Sequence, residues 1–318
     1  MDRRSHLRWI TLAGLSWALA GCQDDRSSTL RVGTHPWPGY EFLHLAQHLG
    51  HLEDGRIRLV QGSSASSTIR SLKQGLLEAG CLTLYEVLSV RDQGTPLTVI
   101  AVLNESHGAD AVLGRPRISD LRDLRRTRIG VEKTAVGALM LDAALKAAQL
   151  RTDDVELRYL TVDQHEAAWA SGEVDALVTF EPVKSRLLQQ GAHLLYSSRQ
   201  TPGLIIDVLA VRTDLLDPQA GLLRSLVGAH FAALNAWQSA PRQYDAFMGG
   251  RLQTDPALVA DVFAELSLPD VAQNRQLLGG EAPLLRTSAE HIGQVLLRGG
   301  LLKQAPRLEQ LCSPTFLA

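Results

Sequence analysis

The chain has 318 residues, with 34 acidic and 32 basic side chains and a formal net charge of −2 at pH 7. This balance argues against a nucleic-acid-binding protein, which would carry a basic stripe. The length is sufficient for two lobes of ordinary size. Only 5% of the residues are aromatic, so Leu and Ala supply most of the apolar content, as expected where helices cover a sheet.

Residues 1–21 are typical of an export signal, because Arg3, Arg4 and Arg8 precede a short apolar stretch. That stretch is shorter than the roughly 20 residues that cross a bilayer. The run Leu19-Ala20-Gly21-Cys22 resembles the bacterial lipobox. The resemblance implies that Cys22 is lipidated and anchors the chain to the periplasmic face of a bacterial membrane, inner or outer. Residues 22–29 are polar and are predicted to form a flexible tether.

From Leu30 onward, β-rich runs alternate with helical patterns, which indicates βα units and mostly parallel sheets. The first series has predicted strands at 30–33, 56–60, 79–84 and 97–103, and helices at 42–50, about 65–75 and 86–93. The second series has predicted strands at 128–131, 155–159, 176–179, 193–196 and 204–211, and helices at 136–149, 163–171 and 182–190. The chain beyond about 217 is predicted to be helical.

Two βα series in one chain predict two lobes. We expect residues 30–112 and 208–318 to form lobe 1 and residues 113–207 to form lobe 2. The chain then crosses between the lobes twice, and the two crossings can serve as a hinge.

The distinctive side chains fall where strands end, which is where open parallel sheets bind ligands. Each predicted strand of the first series is followed by a loop that carries aromatic, hydroxyl or acidic residues. Asp207 lies inside an apolar strand, so its carboxylate needs a partner or an opening to water. These positions predict ligand contacts from Glu41, Tyr85, Glu86, Asp110 and Asp207.

Residues 30–50, 126–150 and 172–191 resemble the nitrate/sulfonate/taurine-type substrate-binding proteins of bacterial ABC importers, a group that includes binders of thiamine-precursor pyrimidines. The resemblance runs through about residues 30–312. It implies a two-lobed type II periplasmic-binding-protein fold that closes on its ligand. It also implies ligand contacts from Trp37, Gly39, Tyr40, Ser63, Ser64, Thr134, Ala135 and Glu181.

The predicted cleft is rich in carboxylates, because Glu132 joins the acidic residues already named, whereas Lys133 and Lys184 are the nearby cations. Aromatic faces beside carboxylates suit a cationic ligand. We therefore expect a small, nitrogen-containing organic solute, such as an amine or a pyrimidine, rather than nitrate or a simple sulfonate. A zwitterion such as taurine remains an alternative.

Other residue patterns give weaker signals. His44, His48 and His51 share one helix face, which we interpret as a solvent or boundary face rather than a metal site. Cys81 and Cys312 are either free thiols or a single disulfide. The chain lacks a G-x-S-x-G elbow and an H-E-x-x-H sequence, so no catalytic residues, enzyme activity or cofactor are predicted.

The sequence therefore predicts a monomeric, membrane-tethered solute-binding protein that delivers its ligand to the permease and ATPase of an importer. A lipoprotein that senses a ligand for a signalling partner is the alternative, with an enzyme on the same fold as a third. Neighbouring genes would separate the first two.

Overall fold

A computed structural model describes residues 29–53, 55–133, 135–298 and 300–317. The predicted signal sequence, Cys22 and Thr134 lie outside the described residues. No helix in the described ranges is both long enough and apolar enough to cross a membrane.

The strands of the described chain follow each other in the order predicted, with two additions. They are β1 Leu30–Thr34, β2 Ile57–Gln61, β3 Ala79–Thr83, β4 Leu97–Ser106, β5 Asp110–Gly114, β6 Arg128–Val131, β7 Glu156–Tyr159, β8 Ala176–Phe180, β9 His193–Ser197, β10 Ile206–Arg212 and β11 Leu266–Ser267. The additions are β5, which the sequence reading placed in a loop and lobe boundary, and the two-residue β11.

The helices cover both faces of the sheets and form most of the C-terminal part. They are α1 Glu41–His48, α2 Ala65–Lys73, α3 Leu84–Asp92, α4 Ala135–Ala147, α5 His165–Ser171, α6 Val183–Gln189, α7 Ala220–Ser239, α8 Pro241–Leu252, α9 Val259–Phe263, α10 Val271–Leu278 and α11 Leu284–Arg298. The predicted helical tail is confirmed by α7–α11.

Within the described residues the strands form two sheets, and each is the centre of one lobe. The first sheet has the order β11-β4-β10-β3-β1-β2, and the second has the order β7-β6-β8-β5-β9. We call the parts built on them the first and the second lobe.

Both sheets are mixed, and most strands of each sheet run in one direction, as the expectation of mostly parallel sheets states. In the first sheet β1 is parallel to β2 and β3, but β10 is antiparallel to β3 and β4. In the second sheet β6 is parallel to β7 and β8, but β5 is antiparallel to β8 and β9. The reason is the crossing topology. A βα strand ends at the cleft, whereas a strand that arrives from the other lobe begins there and must run the opposite way.

The two crossings lie side by side. The chain leaves the first sheet after Ser106 and returns after Ser197. The hydroxyl oxygens of Ser106 and Ser198 are 2.8 Å apart, and the Gly108 N–H donates to Ser198 Oγ at 2.7 Å. Gly108 has φ of +124°, a conformation that glycine adopts without strain. The predicted lobe limits, 112/113 and 207/208, fall within a few residues of these crossings and stay a prediction.

The edge of β4 that faces away from β10 is completed by a side chain from α10. Asn274 is fully buried; its Oδ1 accepts from the Val102 N–H at 2.7 Å, and its Nδ2 donates to the Val102 carbonyl at 3.0 Å. The short β11 pairs only with residues 105 and 106. Asn274 therefore does for Val102 what a neighbouring strand would do.

We expect Asn274→Ala to lower the free energy of unfolding by about 1–3 kcal/mol, because both backbone groups of Val102 lose a partner in the interior. Urea unfolding followed by circular dichroism measures the change. Asn235→Ala, on an exposed position of α7, is the matched control and should stay within about 0.5 kcal/mol of the parent. Equal effects of the two substitutions would contradict the role given to Asn274.

Candidate functional site

A cavity lies between the lobes, at the end of the first sheet where β1 and β3 finish and β10 begins. It is lined by His35, Trp37, Tyr40, Ala65, Thr83, Glu86, Asp110, Glu132, Val136, Phe180, Ile205 and Asp207. None of these lining residues is Lys or Arg. The loops at these strand ends thus meet at one cavity, as the strand-end rule predicts. Both lobes contribute residues to the cavity lining.

Trp37, Tyr40, Asn104 and Asp207 form the side of the cavity that belongs to the first lobe, which we call the first-lobe wall. A chain of buried hydrogen bonds holds these side chains in place. Trp37 Nε1 donates to Asn104 Oδ1 at 3.0 Å, and Asn104 Nδ2 donates to Asp207 Oδ2 at 2.7 Å. Tyr40 Oη donates to Asp207 Oδ1 at 2.6 Å. Both oxygens of the Asp207 carboxylate are therefore occupied, and the expectation that this residue needs a partner is met by the protein itself.

Gly39 is required by the close packing of this wall. A Cβ atom at position 39 would lie 1.6 Å from Asn104 Oδ1 and 2.9 Å from Trp37 Nε1. Any side chain would displace the bond between Trp37 and Asn104. Gly39 therefore supports the cavity through its lack of a side chain.

Four carboxylates line the cavity, and burial raises the pKa of each. The pKa is about 7 for Glu86, Asp110 and Glu132, and it lies well above the usual value for Asp207. Mutual repulsion adds to the desolvation, since Glu86 raises the pKa of the other three. Burial lowers the pKa of His35 to about 3, so this imidazole is neutral at physiological pH. The cavity is therefore acidic, and the raised pKa values mean that its carboxyl groups retain protons where no Lys or Arg of the lining neutralises them.

Among the described residues, two of the contacts between the lobes lie beside the cavity. The ring centroids of Trp37 and Phe180 are 5.6 Å apart in an edge-to-face contact. Ser66 Oγ, from α2 of the first lobe, donates to Glu132 Oε1 of the second lobe at 3.4 Å. The described form is therefore a closed one.

A second set of contacts between the lobes lies at the back of the cleft. Lys184 of α6 is buried and bonds Glu265 Oε2 at 2.6 Å and the Gly108 carbonyl at 3.0 Å. Arg199 also contacts Glu265, at 3.3 Å. Lys184, expected to be a cleft cation, is thus committed to the junction of the lobes.

Several residues predicted to contact ligand lie outside the cavity lining. Glu41 pairs with Arg251 of α8 at 2.7 Å, and Glu181 bonds Ser185 Oγ at 2.9 Å and lies 3.4 Å from Lys184. Tyr85 packs in the apolar core shared by α3 and α4. Their roles in ligand contact stay predictions that this geometry does not favour.

The hydroxyl-rich loop after β2 serves mainly as a helix cap. Ser63 is exposed, and Ser64 is the buried N-cap of α2, in a capping box with Ser67. Ala135 begins α4 beside the cavity residue Val136. For Ser63, Ser64, Thr134 and Ala135, ligand contact stays a prediction.

The sequence analysis did not predict that Asn104 is the centre of the first-lobe wall. It also did not predict that Arg251 and Glu265 pair with residues expected at the site. Asn104 gave a signal, since it directly follows the strand predicted at 97–103. Arg251 and Glu265 gave none, because their helical surroundings in the C-terminal part do not show which loop they meet. His44 is buried and bonds Thr34 Oγ1 at 3.0 Å, so the solvent or boundary face expected for it is wrong.

The described residues contain no cluster of His, Cys, Asp and Glu arranged to hold a metal ion. Cys81 and Cys312 are free thiols, with Cys81 buried in β3. The disulfide alternative is thus not realised in this structure.

Comparison with known proteins assigns the chain to a family. A family model described as NMT1-like matches residues 23–247, which is more than half of the chain. The chain belongs to the NMT1-like family. Its sequence is 26% identical over 164 residues to the taurine-binding periplasmic protein of Escherichia coli strain K12. That match spans about half of this NMT1-like chain and about half the length of the relative.

Solved structures establish the fold. The alkanesulfonate-binding protein SsuA from Xanthomonas axonopodis pv. citri, bound to MOPS, is similar with a TM-score of 0.77 at 17% identity, covering 90% of this chain and 98% of that one. The two-lobed periplasmic-binding-protein fold is confirmed. The desulfurization enzyme DSZB shares it, with a TM-score of 0.66 at 21% identity over 91% of this chain and 97% of that one. The fold thus occurs in an enzyme, but the curated relative named above is a binding protein.

The acidic cavity predicts that closure of the ligand-free protein depends on pH. In the closed form Glu132 keeps its proton up to about pH 7, whereas in an open, solvated cleft its pKa would return to about 4.3. The closed form is therefore favoured at low pH and loses that advantage progressively as the pH rises from about 4.3 to about 7. We expect the radius of gyration of residues 23–318, measured by small-angle X-ray scattering, to increase between about pH 5.5 and pH 8.

Glu132→Gln removes one of the repelling charges and should reduce this increase. Glu281→Gln, at an exposed position, should behave as the parent protein does. An equal radius at both pH values in the parent protein would show that carboxylate repulsion does not govern closure.

Proposed function

We propose that the protein is the solute-binding component of an ABC importer and that it captures a small cationic, nitrogen-containing solute between its lobes. The family membership and the printed functions of the relatives support the general role. One observation supports the charge of the solute: four carboxylates and three aromatic rings line the cavity, whereas no Lys or Arg does in the described part of the chain.

A cation in the cavity would act on both lobes at once. Glu86 and Asp207 belong to the first lobe, and Asp110 and Glu132 belong to the second. Without a counter-charge the cleft can close only when these carboxyl groups are protonated. A bound cation attracts both pairs, so its affinity for the closed form exceeds that for the open form, and it shifts the population toward closure.

The aromatic residues would complete the site. Trp37 and Tyr40 from the first lobe and Phe180 from the second present ring surfaces to the cavity. Ring faces attract a desolvated cation by about 2 kcal/mol. The same rings would cover the apolar part of an organic amine.

Sulfonate binding is a second candidate, favoured by the printed names of the relatives. An oxyanion needs donors, and the protonated carboxyl groups of the cavity are donors at low pH. Against it, the start of α3, which would attract an anion, already holds an acidic side chain, because Glu86 Oε2 accepts from the Thr83 N–H at 2.9 Å.

Three matched probes separate the two candidates. Ethylamine carries only the cation, ethanesulfonate carries only the sulfonate, and taurine carries both on the same two-carbon chain. We expect ethylamine to raise the melting temperature of residues 23–318 and ethanesulfonate to have no effect. A ligand at about 100 times its Kd stabilises by about 2.7 kcal/mol, which thermal-shift measurements resolve. The reverse order of ethylamine and ethanesulfonate would overturn the proposal.

The pH dependence gives an independent check on the same probes. Cation affinity should rise between about pH 6 and pH 8. At the higher pH the cavity carboxylates are already deprotonated, so the cation does not have to displace protons when it binds. A sulfonate held by protonated carboxyl groups would bind more weakly over the same range. Calorimetry in two buffers of different ionisation enthalpy would detect the protons released by the cation.

The location and partners follow from the sequence. We infer that the chain is exported, lipidated on Cys22, and held as a monomer at the periplasmic face of a bacterial membrane, where it passes solute to a permease and its ATPase. The family match begins at residue 23, directly after that cysteine. A signalling partner in place of the importer remains the alternative, and neighbouring permease and ATPase genes would decide against it.

Cys22→Ser should abolish lipidation, because the cysteine thiol is the acceptor of the lipid. In a Gram-negative host fed labelled palmitate, we expect label in the parent protein and none in the variant. Cys312→Ser, which changes a half-buried cysteine of the folded part, should keep the label. Labelling of the Cys22→Ser variant would contradict the anchor.

A further inference from the structure

Two buried polar atoms of the cavity lining have no hydrogen-bond partner among the described residues. They are Asp110 Oδ2 and His35 Nδ1. Asp110 is 3% exposed and His35 is 8% exposed. A buried polar atom without a partner is uncommon, and one on a cavity wall marks a position where a ligand supplies the missing bond.

Asp110 differs in this respect from the other cavity carboxylates. Asp207 accepts from Tyr40 and Asn104, Glu86 accepts from the Thr83 N–H, and Glu132 accepts from Ser66. Glu181, which lies close by, is occupied by Ser185 and Lys184. In the described part of the chain, Asp110 is thus the cavity carboxylate with a fully buried oxygen free to accept.

The backbone holds Asp110 firmly in this position. Asp110 is the first residue of β5, is paired with Phe180 across the antiparallel register, and donates its N–H to Ser106 Oγ at 3.2 Å. Phe180 in turn packs against Trp37. The free oxygen is therefore fixed beside an aromatic wall, directly after the first crossing between the lobes.

We infer that Asp110 is the residue that binds the cationic nitrogen, and that the ligand must carry N–H donors on that nitrogen, as a protonated primary or secondary amine or an amidine does. This inference rests on the proposed function and narrows it by excluding quaternary ammonium compounds. His35 supports the same reading, since a neutral imidazole keeps one ring nitrogen that accepts from a second N–H.

The physical reason is the difference between charge and hydrogen bonding. A quaternary ammonium ion offers charge but no donor, so it would leave the Asp110 oxygen desolvated and unpaired. A site built around an unpaired acceptor rejects an analogue that lacks the donor far more strongly than it rejects one that lacks a methyl group. We expect at least about tenfold weaker binding, which corresponds to one broken hydrogen bond to a charged group.

Two isosteric cations test this directly. Tert-butylammonium and tetramethylammonium have the same tetrahedral shape and charge, but only the first carries N–H groups. Calorimetry with residues 23–318 at pH 8 should give at least about tenfold tighter binding of tert-butylammonium. The neutral isostere tert-butanol should bind more weakly than either cation. Equal affinities for the two cations would overturn the inference while leaving the cationic-solute proposal intact.

A substitution identifies the residue. Asp110→Asn keeps the shape but removes the charge, and it should weaken tert-butylammonium binding at least about tenfold and reduce its advantage over tetramethylammonium. Asp153→Asn, at a position exposed to solvent, is the matched control and should bind as the parent protein does. Melting curves without ligand check that both variants fold, and the comparison of the two cations on the parent protein needs no variant.

The outcomes distinguish the role of Asp110 from the charge of the solute. Unchanged affinity and selectivity in a folded Asp110→Asn variant would overturn the role of Asp110 alone. Binding of ethanesulfonate by the parent protein, with no binding of any amine, would overturn the cationic-solute proposal and this inference together. Selective binding of tert-butylammonium that is lost in Asp110→Asn supports both.

Discussion

The candidate site depends on the burial of one carboxylate inside a sheet. Asp207 lies in β10 between β3 and β4 and is 2% exposed, where an unpartnered carboxylate would be very costly. Tyr40 and Asn104 satisfy both of its oxygens. The indole N–H of Trp37 occupies the amide oxygen of Asn104, so the amide nitrogen must face Asp207. A single buried group thereby orients the two aromatic rings that form the first-lobe wall.

The same strand ends carry the wall and the crossings between the lobes. Asp207 is the second residue after the return crossing, and Asn104 lies two residues before Ser106, where the outward crossing begins. Ser106 bonds Ser198 of the other crossing. The first-lobe wall therefore lies directly beside the two crossings, where they leave the first sheet. In the described form Asp110, Glu132 and Phe180 of the second lobe face this wall across the cavity, and a wall that is organised in advance lowers the conformational cost of binding a ligand.

The sequence predicted which residues gather at one cavity better than the direction in which their side chains point. The strand-end rule selected Glu86, Asp110 and Asp207, and the family resemblance selected Trp37 and Tyr40; all five line one cavity. The same rule included Glu41, and the family resemblance included Glu181, but their carboxylates turn toward Arg251 and Lys184. Arg251 is 210 residues away from Glu41, and no local pattern shows such a pairing. The crossing strand β5 was missed because it has only five residues and directly follows a turn, so its sequence was assigned to the loop between the lobes.

The fold determines where the loops meet, but a few side chains determine the charge that the cleft accepts. Helix starts at strand ends carry about half a positive charge each, which suits oxyanions. A carboxylate at such a start outweighs that charge when it is ionised, and Glu86 occupies that position on α3. Glu132 and Asp110 add two further acidic groups from the opposite lobe. A chain with the fold of an alkanesulfonate-binding protein can therefore present an acidic cleft without any change of architecture, since the reversal of charge needs only side chains at the ends of three strands.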